Sequence, residues 1–232
     1  MKSSDPALVP LKRMAAERAI AEVEDKMVLG LGSGSTAALM VEALARRVAA
    51  GLQVVGIPTS EATAALAKRL GVPLTDFEHK RRIDLTIDGA DQIEQGTLNL
   101  VKGLGGALLR EKIVAEASAR MIVIADPTKL VKKLGAATPL PVEIVPFGWP
   151  LVLDRLKALR AECVLRREGD VPFVTNGGNY VADCRFDAIA DAAALQAKLK
   201  AITGVVETGL FVGLASQAMI GRADGVEVLA PA

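Results

Sequence analysis

Between Asp88 and Glu111 the chain carries two aspartates, a lysine and a glutamate set among glycine-rich turns, DGAD at 88–91 and KGLGGALLRE at 102–111. Carboxylates that move protons, a cation that stabilises developing negative charge and backbone amides opened by glycine are the parts of an acid–base site for a polar substrate. Residues 85–87 read as the end of a buried strand, from which Asp88 to Asp91 turn away through Gly89 and Ala90. Residues 99–101 add a second short strand that delivers Lys102 to a turn, where Gly103, Gly105 and Gly106 let the backbone bend tightly and approach a ligand. A helix follows. In it Ala107, Glu111 and Val114 recur at i, i+4 and i+7, which places Glu111 on a mainly apolar stripe one turn in. Taken singly, Glu111 within REK reads as a surface charge and DGAD as an Asp-Gly turn; taken together they read as a site.

A second loop, GLGSGST at 30–36, follows the first expected strand and opens a helix, where N–H groups and the helix dipole favour an anion. Ser33, Ser35 and Thr36 add hydroxyls around Gly34. A nicotinamide-dinucleotide fingerprint fits poorly, because serine stands at the third glycine position and GIPTSEAT supplies no clear acid for a ribose. A Walker A loop is excluded by the lack of Gly-Lys-Ser/Thr. What remains is a small phosphorylated ligand held at 32–36 with its reactive end toward Asp88, Asp91, Lys102 and Glu111, or a helix-start loop that binds nothing. Lys129, in ADPTKLVKK, either reaches the same anion or is solvated beside Lys132 and Lys133.

Those residues need a scaffold, and 232 residues with 51% hydrophobic and 24% charged content provide a sizeable globular core. A net charge of +1, no basic stripe and only 3% aromatic content argue against a nucleic-acid surface. Neither a signal peptide nor a membrane-spanning run is evident, so the expected location is cytoplasmic, away from membranes. Cys163 and Cys184 suggest neither a zinc site nor a disulfide framework. The single histidine, His79, lies in HKRR and reads as solvated. With no HExxH or Cys/His cluster, a Ser-His-Asp triad and a histidine-rich metal site are both disfavoured.

Apolar runs at 27–31, 54–57, 85–87 and 121–124 alternate with helical patterns at 35–49, 61–70 and after Gly106, the pattern of a parallel sheet covered by helices. An amphipathic stretch at 11–23 adds a helix. The four prolines of PLPVEIVPFGWP read as a crossover between units. The expected organisation is α/β: a Rossmann-like parallel-sheet domain at 1–135, rejoined by 208–232, with a smaller α+β domain at 136–207. That module is expected to comprise a helix at 151–159, strands at 163–167 and 180–183, and a helix at 192–201.

With these motifs in order, the chain resembles the A-type ribose-5-phosphate isomerases, through GLGSGST, GIPTSEAT, DGAD, KGLGGALLRE, IADPTK, PLPVEIVPF and GVVETGLF. The resemblance implies a homodimer that interconverts ribose 5-phosphate and ribulose 5-phosphate through a cis-enediol, without metal or cofactor. It implies that Glu111 is the base and that Ser33, Gly34, Ser35, Thr36, Asp88, Gly89, Ala90, Asp91, Lys102, Gly103, Leu104 and Gly105 bind substrate, with Lys129 at the phosphate end. Desolvation is expected to raise the Glu111 pKa, opposed by Lys102. Three positions depart from the family pattern: Leu104 where glycine is common, Leu109 where threonine is common, and Asn176-Gly177 where Asp-Asn is frequent. A non-catalytic sugar-phosphate sensor and a nicotinamide-dependent oxidoreductase are the rival readings. CoA transfer and amino-sugar phosphate deamination are neighbours by fold, and the motifs favour pentose isomerisation over both.

Overall fold

The computed structural model describes residues 5–232, which form two compact units. The first comprises the described residues up to Ala90, Arg110–Lys129 and Leu214–Ala232; the second comprises Asp91–Leu109 and Leu130–Gly213.

The first unit is built on a six-stranded sheet in the order Gly225–Leu229, Gln217–Arg222, Met121–Ala125, Leu85–Asp88, Val28–Leu31, Val55–Pro58. All neighbours are parallel except the Gly225–Leu229 edge, which pairs antiparallel to Gln217–Arg222. Leu85–Asp88 and Met121–Ala125 are buried at every position, as expected of strands covered on both faces. Helix α1 (Val9–Ile20) packs on α2 (Ser35–Ala49) and on the strands Met121–Ala125 and Gln217–Arg222. A shorter helix, α3 (Glu61–Arg69), follows the Val55–Pro58 strand, and Ser60 caps it by accepting the Thr63 N–H. On α4 (Leu108–Glu116), Val114 packs with Ile57 and Ile83 in a separate buried cluster. No helix among the described residues is long and apolar enough to cross a membrane.

The second unit holds an antiparallel sheet in the order Val205–Thr208, Leu140–Ile144, Tyr180–Arg185, Glu162–Leu165. Helices α5 (Trp149–Lys157) and α6 (Ala192–Lys200) share a core with its alternate residues Leu140, Val142, Ile144, Ala182 and Cys184. A second small sheet joins Leu210–Phe211, Leu100–Val101, Gln92–Glu94 and Leu130–Val131.

Two differences from the sequence reading have clear causes. Residues 91–109, 130–135 and 208–213, expected in the first domain, belong to the second unit, because their short strands, Leu210–Phe211 among them, pair with one another. The proline-rich stretch is no mere crossover: Leu140–Ile144 is an inner strand, buried throughout. Pro141 fits there because its carbonyl accepts the N–H of Gly209, one residue past the Val205–Thr208 strand. The side of Pro141 that lacks a donor thus faces the end of the neighbouring strand, where no ladder bond is lost.

Candidate active site

In the first unit the chain runs from Val28–Leu31 to Val55–Pro58 on one side and then returns to Leu85–Asp88 on the other. In open α/β sheets such a reversal opens a crevice at the carboxyl ends of the two strands. The glycine-rich loop GLGSGST and the Asp88 turn both begin there. Gly32 donates to Ile87 O at 3.0 Å, while Ser33 N–H at 3.0 Å and Gly89 N–H at 2.7 Å both donate to Asp88 Oδ1. Asp88 is fully buried, and a Cβ on Gly32 would lie 2.1 Å from its Oδ1. The two motifs are therefore locked together through main-chain donors and one carboxylate.

A knot of hydroxyls holds the same loop from the other side. Ser33 Oγ lies 2.7 Å from Thr59 Oγ1 and 2.8 Å from Ser60 Oγ. Thr59 Oγ1 donates to Leu31 O and Thr63 Oγ1 donates to Gly32 O, each at 3.0 Å. Ser33, expected as a ligand donor, is thus engaged with GIPTSEAT, and Ser35 and Thr36 open α2. Gly34 precedes them at φ +94° with no side-chain cap on the helix, so the α2 N-terminus keeps the orphan amides that favour an anion.

Sequence reasoning missed Lys12 on α1. It is only 6% exposed, and its Nζ lies 3.4 Å from Ser35 Oγ and 3.9 Å from Asp126 Oδ2. A lysine this buried is held by partners, and here they place its charge at the start of α2. Asp126 also accepts the Thr128 N–H at 3.0 Å, within the turn Pro127–Lys129 that carries Lys129 past the Met121–Ala125 strand. Glu111 is 5% exposed on α4, so the charge that REK suggests for a surface is inside. Ala90 is half-buried where the DGAD turn ends. His79 is exposed and pairs with Asp76 at 2.7 Å, which lowers the Asp76 pKa.

The second unit brings together Asp91, Lys102, Gly103, Leu104 and Gly105. Leu104 N–H donates to Asp91 Oδ2 at 2.9 Å, and Lys102 N–H donates to Gly209 O at 2.8 Å. Lys102 is 2% exposed, with its ammonium 5.5 Å from the centre of the Phe211 ring. Gly103 at φ +103° and Gly106 at φ +78° shape the turn, which Gly106 N–H closes onto Gly103 O at 2.9 Å. Leu104 has a negative φ and a side chain 38% exposed, so leucine is accommodated there without backbone strain. Nothing in the structure explains leucine at 109. Its N–H instead identifies a further residue, Glu143, whose buried carboxylate accepts from Leu109 N–H at the start of α4, from Thr175 Oγ1 and from Asn179 Nδ2. Desolvation raises the Glu143 pKa against the opposing pull of those bonds.

These loops define an open α/β protein whose first unit carries a glycine-rich helix start and the Asp88 turn at its sheet reversal. Among the described residues no group of three or more His, Cys, Asp or Glu side chains gathers as a metal site. Residues 55–225 match the ribose 5-phosphate isomerase A (phosphoriboisomerase A) family. The chain is 56% identical over 221 residues to ribose-5-phosphate isomerase A of Gloeobacter violaceus, covering 95% of this chain and 96% of that one. Its fold matches the structure of ribose 5-phosphate isomerase A from Methanocaldococcus jannaschii with a TM-score of 0.92 at 38% identity, covering 96% and 99% of the two chains. A D-ribose-5-phosphate isomerase in complex with phospho-erythronic acid matches at a TM-score of 0.92 and 35% identity, covering 95% and 98%. The chain belongs to the ribose 5-phosphate isomerase A family, a family of isomerases.

Proposed function

We propose that the protein interconverts D-ribose 5-phosphate and D-ribulose 5-phosphate, with Glu111 as the base that carries a proton between C2 and C1 through a cis-enediol. The observation that carries this reading is the family match over residues 55–225, which contains both DGAD and KGLGGALLRE unbroken. Burial of Glu111 supports its role, since a carboxylate shielded from water is a stronger base toward carbon. The ligand of the solved relative has the same chemical class: phospho-erythronic acid joins a phosphate to a carboxylate whose planar charge resembles an enediolate.

Each remaining residue has a role that the reaction requires. Removal of the C2 proton leaves negative charge on the C1 oxygen, which Lys102 and the N–H groups of the Gly103–Gly105 turn stabilise. Asp88 and Asp91 bind sugar hydroxyls, assist ring opening and move protons between oxygens, next to Gly89 and Ala90. The α2 start at Ser33–Thr36 takes the phosphate, with Lys12 and Lys129 as counter-charges. A positioned base supplies roughly 10²–10⁴-fold, so orientation and electrostatics supply the rest. The active species is expected to be a homodimer, which light scattering of the purified protein checks.

The test is ribulose 5-phosphate formation from ribose 5-phosphate, with chelator present and nicotinamide absent, for wild type and Glu111→Gln. Activity in the wild type and its loss in a folded variant are expected. An inactive wild type that still binds ribose 5-phosphate would favour the sensor, and equal activity in both would remove Glu111 from its role.

A further inference from the structure

The turn that follows Lys102 is held by a side chain from outside every motif. Arg166 Nη1 donates to two consecutive carbonyls, Gly103 O and Leu104 O, each at 3.0 Å. The other edge of the guanidinium is paired with Asp183, through Nε to Oδ2 at 2.9 Å and Nη2 to Oδ1 at 2.5 Å, with both side chains largely buried. Its face stacks on Phe173, 5.6 Å from the ring centre. The same ring fills the space beside Gly106, where a Cβ would lie 2.3 Å from Phe173 Cζ. Arg166 sits where the Glu162–Leu165 strand breaks before Arg167–Glu168.

A trans peptide points its N–H opposite to its carbonyl, and no cis bond occurs among the described residues. With both carbonyls drawn to one guanidinium, the N–H groups of Leu104 and Gly105 are aimed away from Arg166, on the side where Leu104 N–H meets Asp91. We propose that Arg166, anchored by Asp183, is a positioning residue that fixes these two peptide planes and thereby aims Gly105 N–H at the substrate oxygen. The inference rests on the isomerase reading for its kinetic consequence, but the clamp itself is a property of the turn. Arginine is required because only a planar guanidinium can pair with a carboxylate along one edge and still reach two carbonyls.

The experiment compares wild type, Arg166→Ala, Arg166→Lys and Asp183→Asn by hydrogen exchange of the 103–107 amides and by steady-state kinetics on ribose 5-phosphate. Small misplacements of positioned groups cost on the order of 10²-fold, so Arg166→Ala is expected to lose about that factor in kcat. The KM is expected to change less than about 3-fold, because the oxygen charge this donor meets develops only in the transition state. Exchange at Leu104 and Gly106 is expected to quicken. Added guanidinium ion is expected to restore part of kcat in Arg166→Ala, and Arg166→Lys to fall between it and wild type. Asp183→Asn keeps the guanidinium and is expected to show a smaller loss of kcat with the same KM. If Arg166→Ala does not fold, Asp183→Asn carries the test alone. A folded Arg166→Ala with wild-type kcat, or exchange at the turn unchanged in both Arg166→Ala and Asp183→Asn, would overturn the clamp. An inactive wild type would overturn the isomerase reading instead, and the exchange data would still decide the clamp.

Discussion

Replacing Gly32 by alanine isolates the lock between the first loop and Asp88. Gly32 is not among the residues with positive φ, so a methyl group adds no backbone strain. It adds only collisions: its Cβ would lie 2.1 Å from Asp88 Oδ1, 2.3 Å from Cγ and 2.6 Å from Cα. Carbon contacts are favourable near 3.5–4.0 Å, so even Cα, which no rotamer moves, would be roughly 1 Å too close. Overpacking of this kind costs about 1–3 kcal/mol. Pushing Asp88 aside also breaks its bonds from Ser33 N–H and Gly89 N–H, each worth about 1.5–3 kcal/mol to a charged acceptor. At the lower end of each range the loss is about 4 kcal/mol, equivalent to a fall of about 8–16 °C in Tm for a chain of this size. Gly34→Ala is the contrasting variant, because Gly34 has φ +94° and nothing within 4 Å of a Cβ. Its cost is conformational alone, about 1–3 kcal/mol for a side chain at that positive φ with extended ψ. Thermal melts followed by circular dichroism, with isomerase assays well below both transitions, compare the two. Gly32→Ala is expected to melt lower than Gly34→Ala and to lose activity with the displaced Asp88. A Gly32→Ala protein that melts above Gly34→Ala, or within about 2 °C of wild type, would refute the lock.

Lys12→Met is expected to raise KM for the sugar phosphate by about 10–100-fold, the loss of one charge-assisted bond, with a smaller change in kcat; an unchanged KM would separate Lys12 from the phosphate. Because burial raises the folded pKa of Glu143 above 4.5, its contribution is fully present below the unfolded value and is lost as pH rises through the folded one. Melts of Glu143→Gln and wild type are therefore expected to diverge in the variant's favour across that rise, and a constant difference from pH 4 upward would count against it. Cys163 and Cys184 face each other across paired strands, and their mutual hydrogen bond pulls the Cys163 thiol down and pushes Cys184 up. Reactivity follows exposure as well as acidity, and both thiols are buried, so an aromatic disulfide reagent should titrate neither in the native protein and both in denaturant. Rapid native labelling of Cys163 would mean that the sheet opens at that edge.

The parts of this molecule that sequence shows well are those with one dominant cause. A single apolar stripe marks α2 at Ser35–Ala49 and α3 at Glu61–Arg69, and unbroken apolar runs mark the central strands. Strands of two and three residues, such as Leu100–Val101 and Gln92–Glu94, are too short to carry a period, and only their pairing with Leu210–Phe211 and Leu130–Val131 assigns them to the second unit. Pro141 misleads for a related reason: whether a proline interrupts a sheet depends on which neighbour its missing donor faces, a property of register rather than composition. The site divides along the same line. Its glycine and acid turns are spelled out because their charged groups and the glycines that bend the backbone fall in short continuous segments. Its supports are not. Thr59, Thr63 and Arg166 act on main-chain carbonyls, an acceptor that every residue offers, so no partner identity appears in the sequence to betray the contact. Lys12 on an amphipathic helix looks like a solvent-facing lysine until α2 is placed against it. One signal was available, the Ser60-x-x-Thr63 spacing of a helix cap in GIPTSEAT, and it leads to the hydroxyl knot. For Arg166 only the fold supplies the reason, because its anchor Asp183 lies on a neighbouring strand and the carbonyls it holds belong to a turn more than sixty residues earlier.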